Sequence, residues 1–264
     1  MSTLWKRAVA TTTIALVAGF GITACSSGGG SAPDSTQSSA EQQKQADKKP
    51  MTAGDFAQRV SDAMAAAKTA HVTQSMSMQG NEVASTGDVM MDADPKNLRM
   101  HLNMSVGAQK FEMFLVEGTI YMNMGAMTQD KFVKISADDN NPVAAQMQSM
   151  LSQSSAATQL KNASAAMKDF RAAGAEKVDG ADTTHYVLTL DTEKLLAAQG
   201  AQAAQAAQIG DTITYDMYID GKDLVRRAVM NMGTAKTTID YTKWGEPVTI
   251  EAPAADQLTE MPGI

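Results

Sequence analysis

Three pairs of methionines sit one residue apart in this chain: Met76-Ser77-Met78, Met122-Asn123-Met124 and Met230-Asn231-Met232. They belong to a total of 20 methionines in 264 residues. On a β-strand, residues two apart project from the same face, so each pair presents two thioethers together. Such a set admits three chemistries: an ordinary packed core, although cores use Met sparingly; an apolar cavity, whose flexible, polarizable walls re-pack around varied ligands; or a Cu(I) site, since soft thioethers select that ion. Copper ranks last. A copper site normally adds imidazole, yet none of His71, His101 and His185 falls within two residues of a Met-x-Met pair. Each histidine reads as a surface residue. Catalytic patterns are missing as well: there is no His-Glu-x-x-His, no Gly-x-Ser-x-Gly and no glycine-rich phosphate loop. Carboxylates such as Asp138, Asp139, Asp182 and Asp223 sit where turn chemistry explains them. The chain reads as a non-enzyme, with no catalytic residue, cofactor or metal.

The remaining reactive group is Cys25, the only cysteine. Lys6 and Arg7, an apolar run from Ala8 to Phe20, and small residues before Cys25 follow the order of a signal peptide, here residues 1–24. The run is shorter than the ~20 residues of a membrane-spanning helix. Ile22-Thr23-Ala24-Cys25 resembles the bacterial lipobox, which implies that Cys25 is acylated and becomes the first residue of the mature chain. A lone exported thiol has no disulfide partner, and lipidation accounts for it. Two or three acyl chains anchor stably where one does not. The expected location is the outer face of the cytoplasmic membrane, reached by export. Residues 25–51 follow as a Ser-, Gly- and Gln-rich tether with too little apolar surface to fold, reaching roughly 25–30 Å. Residues 52–264 then form a single domain. Beyond the signal peptide 20 basic residues face 29 acidic ones, a net charge of −9, which argues against nucleic acid as a partner.

The domain's elements must place the methionines. Thr52 to Ala70 reads as a helix, capped by Thr52, with Phe56, Val60, Ala63, Met64 and Ala67 on one stripe. Beyond it the period becomes two. Leu98, Met100, Leu102, Met104 and Val106 alternate with polar residues, His101 among them. A turn at Gly107-Ala108 pairs Met104 with Phe111, Leu102 with Met113 and Met100 with Leu115. A second, at Glu117-Gly118, pairs Leu115 with Ile120, Met113 with Met122 and Phe111 with Met124. Both registers keep the apolar set on one face, and a one-residue slip would break that agreement. Near the C-terminus a turn at Gly221-Lys222 pairs Ile219 with Leu224 and Tyr215 with Ala228; one at Gly233-Thr234 pairs Met230 with Thr237 and Ala228 with Ile239. Residues 72–79 and 83–91 form another hairpin, and 183–190 a strand. About ten antiparallel strands are expected. Two helical insertions interrupt them, Asn141 to Ala173 and Thr192 to Gln208, the second degenerating into a flexible Gln/Ala segment. The ligand-facing set on this reading is Met100, Leu102, Met104, Val106, Phe111, Met113, Leu115, Ile120 and Met122, with Met147 and Leu151 from the first helical insertion.

Three stretches resemble a known family. Trp244-Gly245-Glu246-Pro247-Val248, followed by Ala252-Pro253-Ala254-Ala255-Asp256, resembles the close of the actinobacterial lipoproteins of the LppX/LprA/LprF/LprG family. The segment Gly174 to Tyr186 is similar to that family's Val-x-Gly-x-x-Thr-x-x-Tyr hairpin. Asp220-Gly221 with Leu224 and Arg226-Arg227 resembles its Leu-Pro-x-Arg strand start, with Val225 where proline is usual. Order and spacing fit over residues 52–257. The resemblance implies an α+β fold like that of the carriers LolA and LolB: a curved antiparallel half-barrel with helices over a concave, apolar face. It also implies that acylated lipid or glycolipid is bound there and moved within the envelope. From another class comes the alternative that the same fold binds a membrane protein partner, a transporter or sensor, without lipid cargo.

Overall fold

Met51 is buried, and its N–H donates to the Tyr186 hydroxyl at 3.1 Å. The structure, a computed structural model, describes residues 49–78, 81–92, 97–136, 156–198 and 209–260; all of them fall in one compact unit, Gln45–Ile264. Helix α1 (Phe56–Ala67) buries Phe56, Val60 and Met64, the stripe expected from their spacing. Its ends differ from the predicted Thr52–Ala70. Thr52 is no cap: it lies before a turn in which Asp55 Oδ1 accepts from the Thr52 N–H at 2.7 Å. At the other end Lys68 has φ 67°, and the chain leaves directly into a strand.

Twelve strands form one open, curved sheet: β1 (Thr69–Met78), β2 (Asn81–Met90), β3 (Arg99–Val106), β4 (Gln109–Val116), β5 (Thr119–Asn123), β6 (Phe132–Ile135), β7 (Met167–Val178), β8 (Ala181–Asp191), β9 (Thr212–Asp220), β10 (Val225–Met232), β11 (Ala235–Thr242) and β12 (Leu258–Thr259). Their order is β12-β6-β5-β4-β3-β2-β1-β11-β10-β9-β8-β7. Neighbours run antiparallel except the short β12, parallel to β6. Helices α2 (Ala156–Ala166) and α3 (Thr192–Ala198) complete an α+β fold.

The strand count exceeds the expected ten, and β7 shows why. Met167–Ala173, read as the end of a helix, is instead the first half of β7, pairing Met167 with Leu190 and Phe170 with Leu188. The partner strand overrides a local composition of helix formers. Residues 141–155 of that predicted helix, and 199–208 of the second, lie outside the described residues.

The meander has the predicted register: Met100 opposite Leu115, Leu102 opposite Met113 and Met104 opposite Phe111, then Leu115 opposite Ile120 and Met113 opposite Met122. Glu117 and Gly118 both take positive φ, as a twist-compatible two-residue turn requires. Phe111 does not pair with Met124, because the ladder ends at Glu112–Asn123 and Gly125–Thr128 turns away as a 3-10 segment. The β9–β10 turn also departs from expectation. Asp220 accepts from the N–H groups of Lys222 (2.8 Å) and Leu224 (3.1 Å), and Asp223 takes φ 66°. The resulting loop pairs Ile219 with Val225, not Leu224, and Tyr215 with Met230, not Ala228. By Tyr215 the slip is two residues, so the apolar face survives it.

Gly87 sits in mid-strand, opposite Leu102. A Cβ there would stand 1.9 Å from the His101 carbonyl oxygen, so only glycine lets the β2 and β3 backbones approach this closely.

Candidate functional site

Cross-strand pairing carries one apolar face across the whole sheet. Along one row lie Val133, Met122, Met113, Leu102, Gly87, Val72 and Tyr241. The next holds Phe111, Met104, Ser85, Gln74, Ile239, Ala228, Met217 and Tyr186, and a third Val106, Val83, Met76, Thr237, Met230, Tyr215 and Leu188.

What covers that face changes along it. Over β8–β10 the helices supply a lid: Phe56, Val60, Met64 and Leu195 pack with Leu188, Leu190, Ile213 and Ile219 in the larger core cluster. Phe56 and Phe170 rings meet at 5.3 Å. Arg59 of α1 ties down to the β9–β10 loop through two hydrogen bonds to Asp223, 3.2 and 2.8 Å. At the other end Leu115, Ile120, Val133 and Ile135 form a smaller buried cluster, with Met100, Met113 and Met124 packed against it. Between the two, Val72, Gln74, Met76, Leu102, Met104 and Ile239 are only half-buried; Met230, also half-buried, packs against the larger cluster.

The ligand-facing residues expected from alternation therefore fall in different surroundings. Leu102, Met104, Phe111 and Met122 belong to the half-buried strip, and Met100 and Met113 bridge it to the small cluster. Leu115 and Ile120 are part of that cluster's buried interior. Val106, 42% exposed, stands at the strip's outer end. Met147 and Leu151 lie outside the described residues, as does Cys25. Strands β1 and β11 also contribute Val72, Gln74, Met76, Thr237 and Ile239 to the strip, which sequence reasoning did not assign to the site. Alternation in Ala235, Thr237, Ile239 and Tyr241 was the available signal, blurred by the polar residue at its centre.

Two tyrosines border the strip. Burial pushes the Tyr215 phenol up, and pushes that of Tyr241 up to about 12. Tyr241 stacks on Trp244 at 5.6 Å, whose indole N–H donates to the Val225 carbonyl at 2.9 Å. Both phenols stay neutral hydrogen-bond donors at physiological pH. Thr237 stands between Met76 and Met230, 3% exposed, and its Oγ1 has no hydrogen-bond partner.

The opposite face is polar, and all three histidines stand on it. His71 bonds Asp88 (2.7 Å), His101 bonds Glu112 (2.8 Å) and His185 bonds Asp216 (2.8 Å), each across a strand boundary. Two of the rings stack on aromatic neighbours, His101 on Phe114 and His185 on Tyr218. Imidazole is thus directed away from the methionine face. Among the described residues no three His, Cys, Asp or Glu side chains converge to hold a metal ion. Nor is any described helix long and apolar enough to cross a membrane.

Known proteins share this architecture. The lipoprotein LppX of Mycobacterium tuberculosis superimposes with a TM-score of 0.54 at 17% identity, over 75% of this chain and 98% of that one. LprF from Mycobacterium bovis gives 0.51 at 17% identity, over 76% and 98%. At such identity the likeness is one of fold, and it extends over nearly the whole of each relative. No curated protein matches the chain in sequence. Residues 57–224 match the model of a family of unknown function, DUF6612. That segment runs from the first turn of α1 to the start of β10 and takes in most of both clusters and the strip between them, and the chain belongs to the DUF6612 family.

Proposed function

We propose that this protein is a non-enzymatic lipoprotein of the cell envelope, similar in role as in fold to the LppX/LprA/LprF/LprG proteins. On this reading it is exported, anchored through Cys25 to the outer face of the cytoplasmic membrane, and binds acylated lipid or glycolipid, which it carries or presents. The observation that carries the reading is the half-buried strip between the two core clusters. Apolar side chains there remain in contact with water, although each Å² removed from water is worth about 25 cal/mol. An acyl chain laid along Leu102, Met104, Met76 and Ile239 would capture that free energy. Methionine suits such a wall because it re-packs around chains of different shape. The LppX-like fold over 75% of the chain supports the reading.

Mass spectrometry of organic extracts from the purified protein tests it. Lipid in stoichiometric amount is the expected result. Its absence under several growth conditions would turn the strip into a docking surface for a membrane protein and sink the carrier role. The anchor is tested separately: Cys25→Ala leaves unprocessed precursor or released protein, and a variant still carrying acyl mass would refute it.

A further inference from the structure

Thr237 is anomalous among the residues of the apolar face. It lies in an interior strand, with Met76 of β1 on one side and Met230 of β10 on the other, and it is 3% exposed. Buried hydroxyls nearly always find a partner, yet its Oγ1 has none. Ser164 and Thr192 share that condition among the described residues, but they belong to α2 and the start of α3 and stand in none of the three cross-strand rows. A strand hydroxyl in this sheet can find a carbonyl: Thr183, also paired on both sides, donates its Oγ1 to the Glu176 carbonyl at 2.6 Å. Thr237 makes no such bond. Valine has the same shape and would fill the site without a stranded polar atom, so packing alone does not account for a threonine here. The side chains beside it are methionines, whose three rotatable bonds make them easy to displace.

We propose that Thr237 is the polar anchor of the strip: an entering acylated lipid turns Met76 and Met230 aside, and Thr237 Oγ1 donates a hydrogen bond to an ester carbonyl of that lipid. The inference rests on the lipid-binding reading and narrows it to a class of ligand. Acyl esters are favoured over ether-linked or purely hydrocarbon chains, because an ester carbonyl withdrawn from water needs a donor and an alkyl chain does not. Tyr215, next along the row beyond Met230, supplies a second donor within the same stretch of face. Its phenol is held neutral by burial. The hydroxyl that the empty fold strands is thereby satisfied in the loaded one.

The test compares dipalmitoylglycerol with dihexadecyl glycerol ether, two probes of matched chain length that differ in the ester carbonyls. Each is titrated into the delipidated full chain by displacement of a fluorescent fatty acid. Wild-type protein is expected to bind the ester about 3–10-fold more tightly than the ether, the range of one net hydrogen bond. In Thr237→Val the ester affinity falls to that of the ether while the ether affinity stays, and Thr237→Ser restores the preference. A merely structural threonine would move both affinities together, or neither. Equal affinities in the wild type, or a preference that survives in Thr237→Val, overturn the anchor and leave lipid binding intact. If wild-type protein binds neither probe, the lipid reading itself falls and the anchor with it. The wild-type comparison stands even if a variant fails to fold.

Discussion

Leu188 and Leu102 occupy equivalent places. Each sits mid-strand on the apolar face of the same sheet, with an antiparallel neighbour on either side. Leu188 is 1% exposed, beneath the helices, while Leu102 is half-buried. The strands do not account for the difference: the ladder around Leu102 is regular, whereas the one between β7 and β8 carries register shifts, yet it is Leu188 that is fully buried. What lies above them does. Over β8–β10 the chain spends α1 with its Phe56, Val60 and Met64 to close the face. Over β1–β3 and β11 the described structure places no comparable apolar stripe. The two halves show that a one-faced sheet specifies where burial is possible, and the covering elements decide where it is complete. The covered half should therefore carry the stability, and the half-covered strip the binding.

The largest effect expected from this division is at Phe56, which has no exposure and packs against Phe170. Phe56→Ala should cost about 3–5 kcal/mol in denaturant unfolding, the range for truncating a buried aromatic. A loss under about 1 kcal/mol would mean that the helix lid contributes little and that the division is wrong. Next comes the matched pair. Leu188→Ala should cost about 2–5 kcal/mol, whereas Leu102→Ala, which uncovers less and leaves no closed cavity, should cost about 1 kcal/mol or less. Equal losses at the two positions would erase the distinction between the halves.

A smaller, pH-dependent effect belongs to Tyr241, in the row of Leu102 at the border of the strip. Its phenol titrates at about 12 in the folded protein, against about 10 in an unfolded chain. The folded state therefore holds this proton more tightly. The contribution to stability is fully present below about pH 10 and is lost as pH rises towards 12. Tyr215 and Tyr218 are shifted in the same direction by burial, so the fall is shared. Tyr241→Phe should make the unfolding midpoint less sensitive between about pH 10 and 12. An unchanged slope would place the ionising phenol in solvent.

Much of the fold was legible because its determinants are local. Met100 to Val106 alternates strictly, and turn chemistry at Glu117-Gly118 sets the register of the strands that follow without reference to the rest of the chain. The same alternation put His101 on the polar face, where it bonds Glu112. Errors appear where distant residues decide. Met167–Ala173 has a helix former's composition, and only its pairing with β8 makes it a strand. The Asp220 side chain caps two N–H groups beyond the turn and moves the β9–β10 register. The half of the strip drawn from β1 and β11 was missed for a related reason. These two strands meet only through a contact between Thr69–Met78 and Ala235–Thr242, which periodicity within either segment does not reveal. The turn at Gly233-Thr234 placed Thr237 opposite Met230, as found, but its neighbour Met76 on the other side follows only from the β1–β11 pairing.

The smallest stability change, and the one most informative about function, is expected at Leu102→Trp. Leu102 has Met113 on one side and Gly87, without a side chain, on the other. An indole can lie along this gap with its outer edge in the space that an acyl chain would take. In a packed core the added volume would force off-rotamer neighbours and cost about 1–3 kcal/mol. On a half-buried strip it should cost well under 1 kcal/mol and could even stabilise the empty protein by covering apolar surface. Lipid recovered per mole of protein should nevertheless fall, since chain and indole compete for one volume. Stability must be read on delipidated protein, because a bound ligand itself raises the unfolding midpoint. Retained stability with lost lipid ties binding to the half-covered region. Lost stability with no lipid in the wild type would make Leu102 the counterpart of Leu188 after all, and the methionines around it core.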